Sequence, residues 1–220
     1  MPKINTSALN VADKKLIERY STRLQKFGND PRTLGWDSQE NQYYRFNVAA
    51  DTINFQGRRI LDIGCGLSDF RDFLNTKKIK ISSYTGCDIN PELIGYCKNR
   101  WPNDSFYTAN FLADDINQTP YDVVTLFGIL NFRFSEFNNM DFARQMIVKA
   151  FDYCRDSVVV DFLTTVKDIN YPEEEFVYYY DPCEILKFAL SLTPHVTLRH
   201  DYRSIPQREM MLVLHTLPLS

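Results

Sequence analysis

The chain has 220 residues, 44% of them hydrophobic and 14% aromatic, which supplies a sizeable core and fits one domain or one domain with an appendage. Its formal net charge of -3 lacks the basic footprint of a nucleic-acid binder. No apolar run approaches the roughly 18 residues of a membrane span, and the start, MPKINTSALNVADKK, has no apolar secretory stretch, so a cytoplasmic protein without membrane or nucleic-acid partners is expected.

Leu16, Tyr20, Leu24 and Phe27 recur at three- and four-residue spacing and predict a helix over 7–27, broken by Asn29, Asp30 and Pro31. A second helix is expected after Asp37, with Asp37 and Glu40 as a capping-box-like start. Phe46, Ala49, Ala50 and Ile53 supply its buried face. Residues 1–56 thus read as an N-terminal helical cap.

From residue 58 strands and helices alternate. RRILDIG is a strand, SDFRDFLNT a short helix and SSYTGCDI a second strand. Asn90 can cap the next helix, with Pro91 at its first position, where a missing N–H costs little. SFYTANF and YDVVTLFG are the third and fourth strands. A helix over 136–154 follows, with Phe142, Met146, Ala150 and Phe151 on one side, and SVVVDFL is the fifth strand. Asp181, Pro182 and Glu184 open a last helix. HVTLRHDY and EMMLVLHT are then separated only by RSIPQR, too short for a helix, so they form an antiparallel hairpin. The expected core over 57–220 is a doubly wound α/β fold: a mostly parallel seven-stranded sheet with a terminal antiparallel hairpin. The whole chain reads as a single domain. Cys65, Cys87, Cys97, Cys154 and Cys183 are odd in number and lack C-x-x-C spacing, so free thiols are expected rather than disulfides or a metal site.

ILDIGCGLSDF, residues 60–70, runs from a strand into a glycine turn at the place where open parallel sheets bind ligands. Gly64 and Gly66 let backbone approach a ligand. The G-x-G-x-x-G pattern is incomplete, because Asp69 stands in the third glycine's place. Asp62 and Asp69 would repel a pyrophosphate at a helix start. They suit a cationic, phosphate-free ligand such as S-adenosylmethionine. Asp88, 22 residues after Gly66, ends the second strand, where an acid accepts ribose hydroxyls. That residue fits S-adenosylmethionine and NAD alike.

ILDIGCGLSDF, YTGCDINPELI, FYTANFL and YDVVTLFGILN together resemble the successive motifs of class I S-adenosylmethionine-dependent methyltransferases, over about residues 58–164. The resemblance implies that Asp62, Gly64, Cys65 and Gly66 border the methionine part of that cofactor. Asp88 would hold the ribose, with Ile89 against the adenine. Asn110, followed by Phe111, stands where the family usually has an Asp for the adenine amine. Phe127 and Gly128 would lie beside the sulfonium. Leu67 and Ser68 replace a further glycine of many members.

Methyl transfer needs a base only when the nucleophile arrives protonated. His200, with Asp201 to orient it, is one candidate; an exposed or core position is the alternative. Asp161 interrupts the apolar VVVDFL and faces either the site or nearby backbone. Asn131 and Arg133 follow the fourth strand, where they would touch substrate or cofactor. Gln42 and Arg45, three residues apart, either reach the methionine carboxylate or form a solvated face. Residues 164–181 form a long aromatic connection, read as a lid with Trp36 and Tyr43 or as a self-packed insertion. No N-P-P-[YF] or D-P-P-Y motif follows the fourth strand, which disfavours amino methylation of nucleic-acid bases. The expected activity is methylation of a small-molecule acceptor at oxygen or nitrogen. A peptide methyltransferase, a non-catalytic S-adenosylmethionine-binding module and an NAD-linked oxidoreductase remain alternatives, and the oligomeric state stays open.

Overall fold

The computed structural model describes residues 3–116, 120–166, 173–202 and 209–218. Its strands are β1 (Arg59–Ile63), β2 (Ser83–Asp88), β3 (Ser105–Thr108), β4 (Tyr121–Leu126), β5 (Cys154–Leu163), β6 (Val196–Arg199) and β7 (Glu209–His215). They form one sheet in the order β3-β2-β1-β4-β5-β7-β6. β1 to β5 pair in parallel, and β7 lies antiparallel between β5 and β6. The predicted antiparallel pair is present; its connection, RSIPQR, lies outside the described residues. The strand order reverses between β1 and β4, which opens a crevice at their carboxyl ends.

Alternation along the central strands sorts side chains to two faces. Leu61, Ile63, Val124, Leu126, Val158 and Val160 pack with α5 (Asn139–Tyr153) and α6 (Pro182–Leu192). Ile60, Val123 and Val159 pack on the opposite face with α2 (Gln39–Thr52), α3 (Asp69–Thr76) and α4 (Pro91–Arg100). Asp62 is in phase with Ile60, and Asp161 with Val159. Both acids therefore project toward the α2 face, where they are buried.

Local capping chemistry sets most helix starts. Asn90 accepts from Glu92 N and Leu93 N, with Pro91 at the first position, as expected. Asp181 caps α6 in the same way. α2 departs from expectation: Ser38, not Asp37, is its cap, and the Ser38 side chain accepts from Asn41 N. α5 begins after Asn138 rather than at 136.

The N-terminal helix α1 (Thr6–Phe27) lies across the crevice. Asn90 Nδ2 donates to Ile17 O (3.2 Å) and to Ser21 Oγ (3.1 Å). Lys15 pairs with Glu136, and Ile4 N donates to Gln145 Oε1 at 3.3 Å. α1 is thus anchored to both sides of the crevice.

Candidate active site

A cavity of about 190 Å³ lies between α1 and the carboxyl ends of β1, β2 and β4. Its described wall carries four acids, Asp13, Asp62, Asp69 and Asp88, and one cation, Arg45. The remainder is largely apolar: Leu9, Leu16 and Tyr20 from α1, and Phe132, Phe134 and Phe137 from the stretch after β4, are among its lining.

The glycine loop is shaped by close approach. Gly64 and Gly66 have φ of +69° and +54°. A Cβ on Gly64 would stand 2.1 Å from Ile129 Cγ2, and one on Gly66 2.8 Å from Leu34 Cδ1. Gly64 N and Cys65 N both donate to Cys87 O, at 2.7 and 3.0 Å. Gly66 N donates to Asp88 Oδ2 at 3.1 Å. Three successive amides are therefore committed to β2 and its end, whereas a pyrophosphate loop presents its amides to the ligand. Ser68 is fully buried, and its hydroxyl bonds Leu67 O rather than facing the cavity. Asp69 and Asp72 occupy the first turn of α3, and Arg100 bridges them at 3.6 and 2.9 Å.

Each cavity acid has fixed partners. Asp62 accepts from Tyr84 Oη (2.5 Å) and Thr125 Oγ1 (2.7 Å). Burial pushes its carboxyl up to about 6, against the pull of those two bonds. Asp88 also accepts from Asn90 N at 2.9 Å, and burial raises it as well. Asp69 accepts from Gln42 Nε2 at 2.8 Å. The Gln42 Oε1 is buried in the cavity wall with no hydrogen-bond donor among the described residues. A buried acceptor left open beside a carboxylate fits a ligand ammonium, since an unpaired polar group in that setting is costly.

The solvated-face reading of Gln42 and Arg45 is corrected here. They are 4% and 2% exposed, because Gln42 meets Asp69 of α3 and Arg45 meets the acids of β5 and β7. Arg45 Nη1 lies 2.6 Å from Asp161 Oδ2, and Nη2 pairs with Glu209. The guanidinium also sits 3.7 Å from the Trp36 ring centre, a cation–π contact. Asp161 Oδ1 accepts from Gly128 N at 2.5 Å, which fixes the turn after β4. Burial raises the Asp161 carboxyl even though Arg45 opposes the shift. Arg45 is thus matched by two carboxylates and adds no free positive charge to the cavity. Glu209 escaped the sequence reading; its only signal was an acid opening the apolar run EMMLVLH.

The other candidates divide. Ile89, Asn110, Phe111, Phe127 and Gly128 all line the cavity. His200, Asn131 and Asp161 are not in its wall. His200 follows β6, and Asp201, offered as its orienting partner, pairs instead with Arg199 at 2.6 Å. Asn131 Oδ1 accepts from Leu163 N at 2.8 Å, and its carbonyl accepts from Tyr178 N. Arg133 Nε donates to Val177 O at 3.0 Å. These contacts seat residues 173–180 on the stretch after β4. None of the described residues of 164–181 lines the cavity, and α1 covers it instead. Trp36 does line it, whereas Tyr43 donates to Asp72 at 2.8 Å. Residues 167–172 of the expected lid lie outside the described residues.

A family model described as a methyltransferase domain matches residues 54–167. The chain belongs to the methyltransferase domain family. That span covers β1 to β5 and so includes the glycine loop, Asp88 and Asp161. Among curated methyltransferases, the chain is similar to a fatty-acid O-methyltransferase of Mycolicibacterium smegmatis, at 24% identity over 54% of this chain and 47% of the relative. It is also similar to the phthiotriol/phenolphthiotriol dimycocerosates methyltransferase of Mycobacterium leprae, at 31% identity over 41% of this chain and 31% of the relative. The matches thus span less than half of either relative's length. In fold, the methyltransferase chain resembles the magnesium protoporphyrin IX methyltransferase of Synechocystis, solved with bound S-adenosylmethionine. The TM-score is 0.64 at 13% identity, covering 96% of this chain and 99% of that one. The seven-stranded sheet is the Rossmann-like methyltransferase fold.

Proposed function

We propose that the protein transfers a methyl group from S-adenosylmethionine to an apolar small molecule, at oxygen or nitrogen. The observation that carries this reading is the charge of the cavity wall: four acids face one cation, and that cation is held by Asp161 and Glu209. Such a wall favours a cationic ligand and disfavours a pyrophosphate. NAD is the weaker occupant for that reason, and because the glycine-loop amides are turned toward Cys87 O and Asp88.

When bound, S-adenosylmethionine supplies an electrophilic methyl on a positively charged sulfur. Asp88 would hold the ribose hydroxyls, with Ile89 and Phe111 against the base. Gln42 Oε1 and Asp69 would take the ammonium. Asp62 and the turn at Phe127 and Gly128 would flank the sulfur. The apolar wall around Phe132 and Ile129 suits an acceptor with a hydrocarbon body, in line with relatives named for fatty acids and phthiotriol lipids. Alignment of the acceptor is the main contribution asked of the protein, and such alignment is worth roughly 7–11 kcal/mol. A carboxylate acceptor needs no base, whereas a hydroxyl does.

The test pairs calorimetry with transfer of labelled methyl. Micromolar binding of S-adenosylmethionine and label recovered in hydroxylated or carboxylated lipids are expected. Tight NADH binding with none of S-adenosylmethionine would overturn the proposal.

A further inference from the structure

We infer that Asp13, carried by the covering helix α1, reads the exocyclic amine of the adenine in the cofactor site, the contact that the family resemblance assigns to the position of Asn110. This inference rests on the cofactor reading above.

Asn110 cannot accept from an amine. Its Oδ1 already takes Leu112 N at 3.0 Å and Ala113 N at 3.3 Å, so it closes the turn after β3. Those two backbone donors also fix which end of the amide is oxygen, an assignment that otherwise depends on the surrounding network. The Asn110 NH₂ therefore points away from the turn, and it donates to Asp13 Oδ2 at 2.7 Å. An NH₂ group and an adenine amine are both donors and cannot pair. The adjoining acceptor is the Asp13 carboxylate, which lines the cavity. With Oδ2 committed to Asn110, Oδ1 remains for a ligand, and a carboxylate accepts at both oxygens.

The position suits a base. Asp88 pairs in register with Thr108, so a ribose on Asp88 directs its base toward the end of β3. Ile89, Ala109 and Phe111 wall that side, and Ala12 and Leu16 of α1 cover it. Asp13 lies between Ala12 and Leu16 on the same helical face, one turn from Leu16, as i and i+3 spacing requires. The charge of Asp13 is thus brought to the base only when α1 is docked. Ligand specificity and coverage of the cavity become one event.

Calorimetry with two ligands tests this: S-adenosylhomocysteine, and its analogue with hydrogen in place of the exocyclic amine, which adds no new donor to the base. The wild type should prefer the adenine form by about tenfold to a hundredfold, the range of one charge-assisted hydrogen bond. Asp13→Ala should lose most of that preference by weakening the adenine form alone. Lys15→Ala, which removes an exposed contact of the same helix with Glu136, should keep the preference. Equal weakening of both ligands by Asp13→Ala would assign Asp13 to helix docking and overturn the inference. So would a wild type that binds both ligands alike, while leaving the cofactor reading intact. A wild type that binds neither ligand would remove both.

Discussion

Arg45 Nη1 stands 2.6 Å from Asp161 Oδ2, joining the helical cap to the central sheet through a pair almost wholly out of solvent. Glu209 shares the same guanidinium, so two buried carboxylates surround one cation. The cluster holds more acid than base, which ranks its substitutions. Arg45→Met strands both carboxylates and should destabilise the fold by about 3–5 kcal/mol in urea titrations. Asp161→Asn removes the surplus charge and keeps an oxygen for Gly128 N; its NH₂ then faces Arg45 Nη1, donor to donor, but Arg45 retains Glu209, so the variant should cost less than Arg45→Met. The reverse ranking would show that Arg45 is not shared between the two acids.

Asp62 gives a pH signature. Its carboxyl rises from 3.8 to about 6 on burial, so the native state holds this proton more tightly than the unfolded chain. The associated stability is full below about pH 4 and is lost as pH climbs through about 6. At about 1.4 kcal/mol per unit, the change attributable to Asp62 reaches up to about 3 kcal/mol. Asp62→Asn abolishes this titration. Urea midpoints between pH 4 and 7.5 should therefore show the wild type losing ground to the variant as pH rises; parallel profiles would refute the buried-acid assignment.

Gly64→Ala should fail for two separable reasons. Its φ of +69° strains any side chain, and its Cβ would meet Ile129 Cγ2 at 2.1 Å. The conformational part is worth roughly 1–2 kcal/mol. Adding Ile129→Ala should recover the contact part but not that remainder. Thermal denaturation of the single and double variants measures both shares, and complete rescue by Ile129→Ala would show that the backbone angle carries no cost.

Asn90 serves two elements at once. It caps α4 through Glu92 N and Leu93 N, and it holds α1 through Ile17 O and Ser21 Oγ. Asn90→Asp keeps the capping oxygen and loses the donor to α1. Asn90→Ala loses both and should cost about 0.5–2 kcal/mol in global stability. Hydrogen exchange should then quicken along α1 in both variants but near the start of α4 only in Asn90→Ala. Unchanged α1 exchange in Asn90→Asp would show that the helix is held elsewhere.

Local sequence was enough to determine the alternation of strands and helices, the reversed terminal pair, the Asn90 and Asp181 caps and the acid-flanked glycine loop. Each of these depends on side-chain periodicity or on neighbours within a few residues. Tertiary structure decided the rest. Gln42 and Arg45 could be read either as a solvated face or as reaching the cofactor, because nothing in α2 reveals that Gln42 meets Asp69 and that Arg45 meets Asp161 and Glu209, the latter 164 residues away. The motif resemblance put Asn110 at the adenine, but only the fold shows that its oxygen closes the following turn and that its amide donates to Asp13, 97 residues earlier. Burial and pairing across such separations are fixed by strand order and helix docking, and these determine which of the chain's acids and amides face a ligand and which face each other.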